Sequence, residues 1–68
     1  MNVMLNGEPA TLEDRATVAD ALEALDLPGG GRGIAVAVDA EVVPRGEWPS
    51  TTLHDGARVE VVQAVQGG

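Results

Sequence analysis

The chain contains no cysteine, no lysine, no phenylalanine and no tyrosine, and it has a single tryptophan and a single histidine. Each absence removes a class of function. Without cysteine there is no disulfide to staple a small fold and no Cys-based metal site. A lone His54 cannot build a histidine cluster. Without lysine, no side-chain amine is present to receive an isopeptide bond from another copy of the chain. With Trp48 as the only aromatic, a site of stacked rings cannot be assembled. No stretch approaches the ~20 apolar residues of a membrane-spanning helix. Residues 1–15 lack the basic start and unbroken apolar run of a secretory signal. A cytoplasmic protein is therefore expected, with no membrane partner.

What is present is small and acidic. The 68 residues suit one domain. A domain of this size buries only about 60% of the surface of its unfolded chain, so its core is thin. Eleven acids against four arginines give a net charge of −7. Such a surface repels phosphate backbones and excludes nucleic acid as the natural partner. It favours basic protein partners, chiefly through faster association.

Val3-Met4-Leu5 followed by Asn6-Gly7 predicts a strand and a tight hairpin, because both turn residues tolerate the positive φ of a type I′ turn. The return strand is expected near Ala10-Thr11-Leu12, and Pro9, which has no N–H to donate, puts that strand at an edge. Val18 to Leu27 reads as a helix. Val18, Ala21, Leu22 and Leu25 repeat at one-face spacing, and Thr17 with Asp20 approximates a capping box. Pro28 and Gly29 to Gly31 stop it. Ile34 to Val38 is a strand by alternation and β-branching, Asp39-Ala40-Glu41 turns the chain, and Val42-Val43 starts the return. Arg45 to Thr52 reads as irregular, with a single turn around Glu47-Trp48. Asp55-Gly56 is a turn, and Arg58 to about Ala64 is the last strand, with Val59 and Val61 on one face. The expected fold is α+β: a β-grasp (ubiquitin-like) domain over 1–64, a five-stranded mixed sheet with one main helix in the order β-β-α-β-β-β, its first and last strands paired at the centre. A flexible tail over 65–68 ends in Gly-Gly.

No conventional catalytic site emerges, and the chain is not expected to be an enzyme. Ser50, Thr51 and Thr52 share one loop with His54, whereas a triad needs a separately oriented base. Gly29-Gly30-Gly31-Arg32-Gly33 lacks the Gly-Lys-Ser/Thr ending of a phosphate loop and leaves a helix where a phosphate loop opens one. Glu13-Asp14 and Asp39 with Glu41 read as solvated acids; no metal site is expected. The tail is different. Gly67 and Gly68 have no side chain, so they can enter a channel in which any Cβ would clash. The span from Val65 to Gly68 reaches ~13–14 Å when extended, enough to deliver a carboxylate into a partner's active site. A carboxylate is ionised at neutral pH and a poor electrophile. Conversion to an acyl adenylate supplies the leaving group it lacks, and a sulfur nucleophile can then displace AMP. Those chemical steps lie in partner enzymes.

Across nearly the whole length the chain resembles the ThiS family, the sulfur carriers of thiamin thiazole biosynthesis. The resemblance rests on Asn6-Gly7, Thr17-Val18-x-x-Leu22-x-x-Leu25, Ile34-Ala35-Val36-Ala37-Val38, Val43-Pro44-Arg45-x-x-Trp48, Leu53-x-Asp55-Gly56-x-x-Val59-x-Val61-Val62 and the closing Gly67-Gly68. It implies that Gly68, preceded by Gly67, is the terminus that becomes adenylated and then thiocarboxylated. It implies no bound cofactor, ATP being used by the activating enzyme. The implied partners are that adenylating enzyme, a thiazole synthase and a sulfur donor such as a cysteine desulfurase. The glycine-rich 29–33 loop and Pro9 depart mildly from the family's pattern.

A docking surface is expected beside the tail: Met4, Val62 and Ala64 on the face away from the helix, widened by Ala35 and Ala37, with ordinary apolar surface as the alternative. Trp48 either caps the thin core or anchors a partner, and Arg45 pairs with an acid or a partner. Two related readings remain at this point, a molybdopterin synthase small subunit-like sulfur carrier and a ubiquitin-like protein modifier. A plain interaction module with an inert tail is a third.

Overall fold

The computed structural model describes residues 1–25 and 33–63. Five strands form one mixed sheet: β1 Asn2–Leu5, β2 Glu8–Thr11, β3 Ile34–Val38, β4 Glu41–Val43 and β5 Arg58–Gln63, with helix α1 Val18–Leu25 between β2 and β3. The sheet order is β2-β1-β5-β3-β4. β1 and β5 run parallel at its centre, and the other neighbours are antiparallel. This is the β-grasp arrangement expected from the sequence. β2, with Pro9 opposite Met4, lies at an edge, where proline's missing N–H is tolerated.

Local chemistry explains most element boundaries. Asn6 and Gly7 adopt φ of 51° and 82° and close a two-residue hairpin in which Leu5 faces Glu8. The return strand therefore starts two residues earlier than Ala10, because a turn this tight pairs the very next residue. Helix α1 opens on a reciprocal cap: the Asp20 N–H donates to Thr17 Oγ1 at 3.3 Å, and the Thr17 N–H donates to Asp20 Oδ2 at 2.9 Å. The Val18 N–H donates to the Thr51 carbonyl, and the Leu53 N–H to that of Ala16, which ties the helix start to the loop before β5. Residues 26 and 27 of the expected helix, its Pro28 stop, the glycines at 29–31 and Ala64 lie outside the described residues.

The core is one cluster: Val3 and Leu5 of β1, Val18, Ala21 and Leu22 of α1, Val36 of β3, Val59 of β5, and Trp48, Leu53 and Ala57 from the connecting segment. Val3, Val18, Val36 and Val59 are almost fully buried, each worth about 1.5–3 kcal/mol of apolar transfer. Arg45–Ser50, expected to be irregular around a single turn, is a six-residue 3-10 helix. It holds Trp48 in the core at 7% exposure, where the indole Nε1–H donates to the Val43 carbonyl at 2.9 Å. Trp48 thus caps the core and does not belong to the exposed docking surface. The partner role considered for it is corrected on that ground: a ring covered by its own domain has no area left to offer. The Arg45 guanidinium lies 4.7 Å from the ring centroid, a cation–π stack over that cap.

Candidate functional site

The site must be built from the last strand, because β5 is the element that leads to Gly67 and Gly68. Its inner face carries Val59 and Val61 onto the core. Its neighbours hold it unequally. β3 pairs with it from Val59 to Gln63, ending on Ile34 opposite Gln63. β1 pairs with it only at Arg58 and Val59, opposite Met4 and Leu5. The base of the tail is therefore held in the middle of the sheet, fixed by antiparallel hydrogen bonds to its final described residue. The described residues stop at Gln63; Gly67 and Gly68 lie outside them, as does Ala64.

The face away from α1 is apolar around that base. Val62 is 60% exposed and lies beside Ala35; Ala37 lies beside Val42, which is 75% exposed. Met4 shares the face and is half-buried. A shallow groove lined by Met4, Asn6, Gly7, Arg58, Glu60 and Val62 runs along β5 beside the first hairpin. The structure thus brings Val62 together with Ala35, and Met4 with the same groove. Met4 does not touch Val62 as a register partner: it faces Arg58, and the alternation of the strand places Arg58 and Glu60 on this face between the two apolar side chains. Val42 was not singled out from sequence, although its position two residues after the turn, on a three-residue return strand, puts it on the same face as Ala37.

A second polar cluster sits at the opposite end of β5. Asp39, in the β3–β4 turn, accepts from the Arg58 N–H at 3.0 Å, and its Oδ2 lies 2.6 Å from His54 Nε2. His54 Nδ1 lies 2.8 Å from the Asp55 carbonyl, which can only accept. Both ring nitrogens face acceptors, so the imidazolium, with two donors, is the form that satisfies the site. The Asp39 hydrogen bond, followed by that to Asp55, raises the His54 pKa above its ordinary value, and His54 together with the Arg58 N–H lowers that of Asp39. His54 and Asp39 are solvent-exposed, and Ser50 and Thr51 spend their hydroxyls on the Glu47 carbonyl. Among the described residues, the hydrogen-bond partners of this histidine are the Asp39 carboxylate and the Asp55 carbonyl, neither of them a hydroxyl nucleophile. The cluster instead links the β3–β4 turn to the start of β5. Among the described residues, no group of three or more potential ligands is placed to hold a metal ion, and no helix is long and apolar enough to cross a membrane.

Comparison with known proteins matches the chain to one family model, that of the ThiS family, over residues 3–68. The sulfur carrier protein ThiS of Thermus thermophilus is 41% identical over 66 residues, covering 97% of this chain and 98% of that protein. The Escherichia coli protein of the same name is 29% identical over 68 residues, with both chains fully covered. Among solved structures, the crystal structure of the thiamine biosynthesis protein (ThiS) from Geobacter metallireducens superposes with a TM-score of 0.82 at 31% identity, with full coverage of both chains. A solution structure from the same organism gives 0.74, covering 88% of that chain.

Proposed function

The chain belongs to the ThiS family, and from that premise we propose that it is a sulfur carrier protein of thiamine biosynthesis whose working group is the Gly68 carboxylate. The observation that carries this reading is the extent of the family match, which runs through residue 68 and so takes in Gly67 and Gly68 along with the strand that precedes them. The chain is a carrier and not an enzyme. A carboxylate oxygen of Gly68 attacks the α-phosphorus of ATP in an adenylating enzyme, releasing pyrophosphate and leaving an acyl adenylate. A sulfide equivalent then attacks the carbonyl carbon; the C–S bond forms, the C–O bond to AMP breaks, and AMP leaves with the electron pair. The thiocarboxylate passes its sulfur into the product formed on a thiazole synthase, and an oxygen from water or from the sulfur-accepting substrate takes its place on the carbonyl carbon, which regenerates the carboxylate. The sulfur comes from a donor such as a cysteine desulfurase, which hands it on as a persulfide, so a thiol reductant supplies the two electrons that bring it to the sulfide level; the whole cycle is read as cytoplasmic. The carrier itself needs no bound cofactor.

Docking on both enzymes is assigned to the helix-free face, with Val62 and Met4 beside the tail's base; Ala64, expected there from the alternation of the strand, lies outside the described residues. Ala35, Ala37 and Val42 extend it across β3 and β4. The experiment that tests the assignment is reconstitution: purified thiazole synthase should form thiazole phosphate with the thiocarboxylated chain, and a molybdopterin synthase large subunit should not accept it. Transfer to the molybdopterin system alone, or attachment to lysines of other proteins, would replace the thiazole reading with one of its two relatives.

A further inference from the structure

The parallel pairing of β1 with β5 ends early, and one side chain continues it. In a parallel ladder, a strand residue donates its N–H to one neighbour and accepts at its carbonyl from the residue two further on. Met4 and Asn6 donate their N–H groups to Ala57 and Val59 in that pattern, each at 2.9 Å. The next bond would need the Asn6 backbone carbonyl, but Asn6 is already in the left-handed turn at φ 51°, which rotates the chain away into the hairpin. Its side chain takes over: the Val61 N–H donates to Asn6 Oδ1 at 2.7 Å. Among the described residues, β1 offers β5 nothing past this bond, and β3 alone continues, through Val62 and Gln63. Val61 is thus the last residue of β5 described as held from both sides.

We infer that Asn6 is a positioning residue for the carrier's reaction: its carboxamide stands in for a missing backbone carbonyl and fixes the direction in which β5 presents the tail. The inference rests on the reading of Gly68 as the working group. Reaction at a carboxylate delivered into another protein's site requires placement to within about an ångström, and looseness at the base lowers the fraction of docked complexes in which the end is seated. Asn6 also lines the groove that carries Val62.

The substitution Asn6→Gly separates the side chain's two jobs, since glycine adopts positive φ without strain and keeps the turn but supplies no acceptor. Asn6→Asp restores an acceptor oxygen at the same reach. The assay is steady-state thiocarboxylation of the full chain by the adenylating enzyme with saturating ATP and sulfide, read by intact mass. Amide hydrogen exchange at Val61 is measured alongside. Asn6→Gly should speed Val61 exchange and lower kcat about three- to tenfold with KM unchanged, and Asn6→Asp should recover most of both. A purely structural defect predicts the reverse split, because a smaller folded fraction dilutes active carrier and raises apparent KM at constant kcat. That reverse split, an unchanged kcat despite fast Val61 exchange, or an Asn6→Asp variant as slow as Asn6→Gly would each overturn the inference. If Asn6→Gly fails to fold, Asn6→Ser, whose hydroxyl falls short of Val61, takes its place under the same criteria. Failure of the unmodified chain to be thiocarboxylated would overturn the carrier reading itself, and this inference with it.

Discussion

The β3–β4 turn makes a quantitative test of the fold, because two adjacent residues carry the same backbone conformation for opposite reasons. Asp39 and Ala40 sit at φ 50° and 69°. The left-handed region costs an L-residue with a Cβ about 1–2 kcal/mol, and alanine has no polar group to offset it. In Ala40→Gly that strain disappears, while the unfolded chain gains freedom worth about 0.4–1 kcal/mol against folding. The net expectation is a gain of about 0.5–1 kcal/mol. For a domain of this size that raises Tm by about 3–6 °C. Asp39→Gly relieves similar strain but removes the carboxylate that accepts from the Arg58 N–H and from His54, so it should lower Tm. Thermal unfolding followed by circular dichroism, with urea midpoints as a check, measures both. Thiocarboxylation of Ala40→Gly should equal that of the parent chain, since the turn lies at the far end of β5 from the tail. A fall in Tm for Ala40→Gly, or the same sign for both variants, would refute the reasoning.

Two further outcomes follow from the same contacts. Met4→Glu combined with Val62→Glu should raise KM for the adenylating enzyme at least tenfold, with little change in Tm, because Val62 is 60% exposed and Met4 lies on the helix-free face; an unchanged KM would remove the docking assignment. For His54 the sign runs as for any group whose pKa is raised on folding: its contribution is complete below its ordinary value near 6.5 and is lost as pH climbs through the raised folded value. Tm of the parent chain should therefore fall more between about pH 6 and pH 8 than that of His54→Gln. Parallel Tm–pH curves would contradict the assigned imidazolium.

Much of the fold was legible because it is specified locally. Asn6-Gly7, the Thr17/Asp20 cap and the alternation from Ile34 to Val38 each decide a conformation within a few residues, and each is where the sequence puts it. The central pairing of first and last strands was legible only as the arrangement that places one helix over one mixed sheet. What escaped is non-local. Asn6 meets Val61 across 55 positions and Asp39 meets Arg58 across 19, and no periodicity encodes which backbone donor a polar side chain will find. Ala40 gives no turn signal of its own, since the two-residue hairpin imposes its conformation. The 3-10 helix over Arg45–Ser50 is bounded by Pro44 and contains Pro49, residues that argue against regular structure; packing of Trp48 into the core overrides them. The site divides in the same way. The proposed reacting end is legible as Gly67-Gly68, while Asn6, the side chain proposed to position it, becomes visible only once β5 has neighbours.

The central claim is that sulfur travels on the Gly68 carboxylate, and intact mass spectrometry tests it directly. The chain would be incubated with ATP, sulfide and an adenylating enzyme already shown to charge another ThiS-family carrier. The account predicts a gain matching one oxygen replaced by sulfur, localised to Gly68 by fragmentation and abolished by deleting that residue. An unchanged mass under those conditions, or the same gain in the chain lacking Gly68, would contradict it.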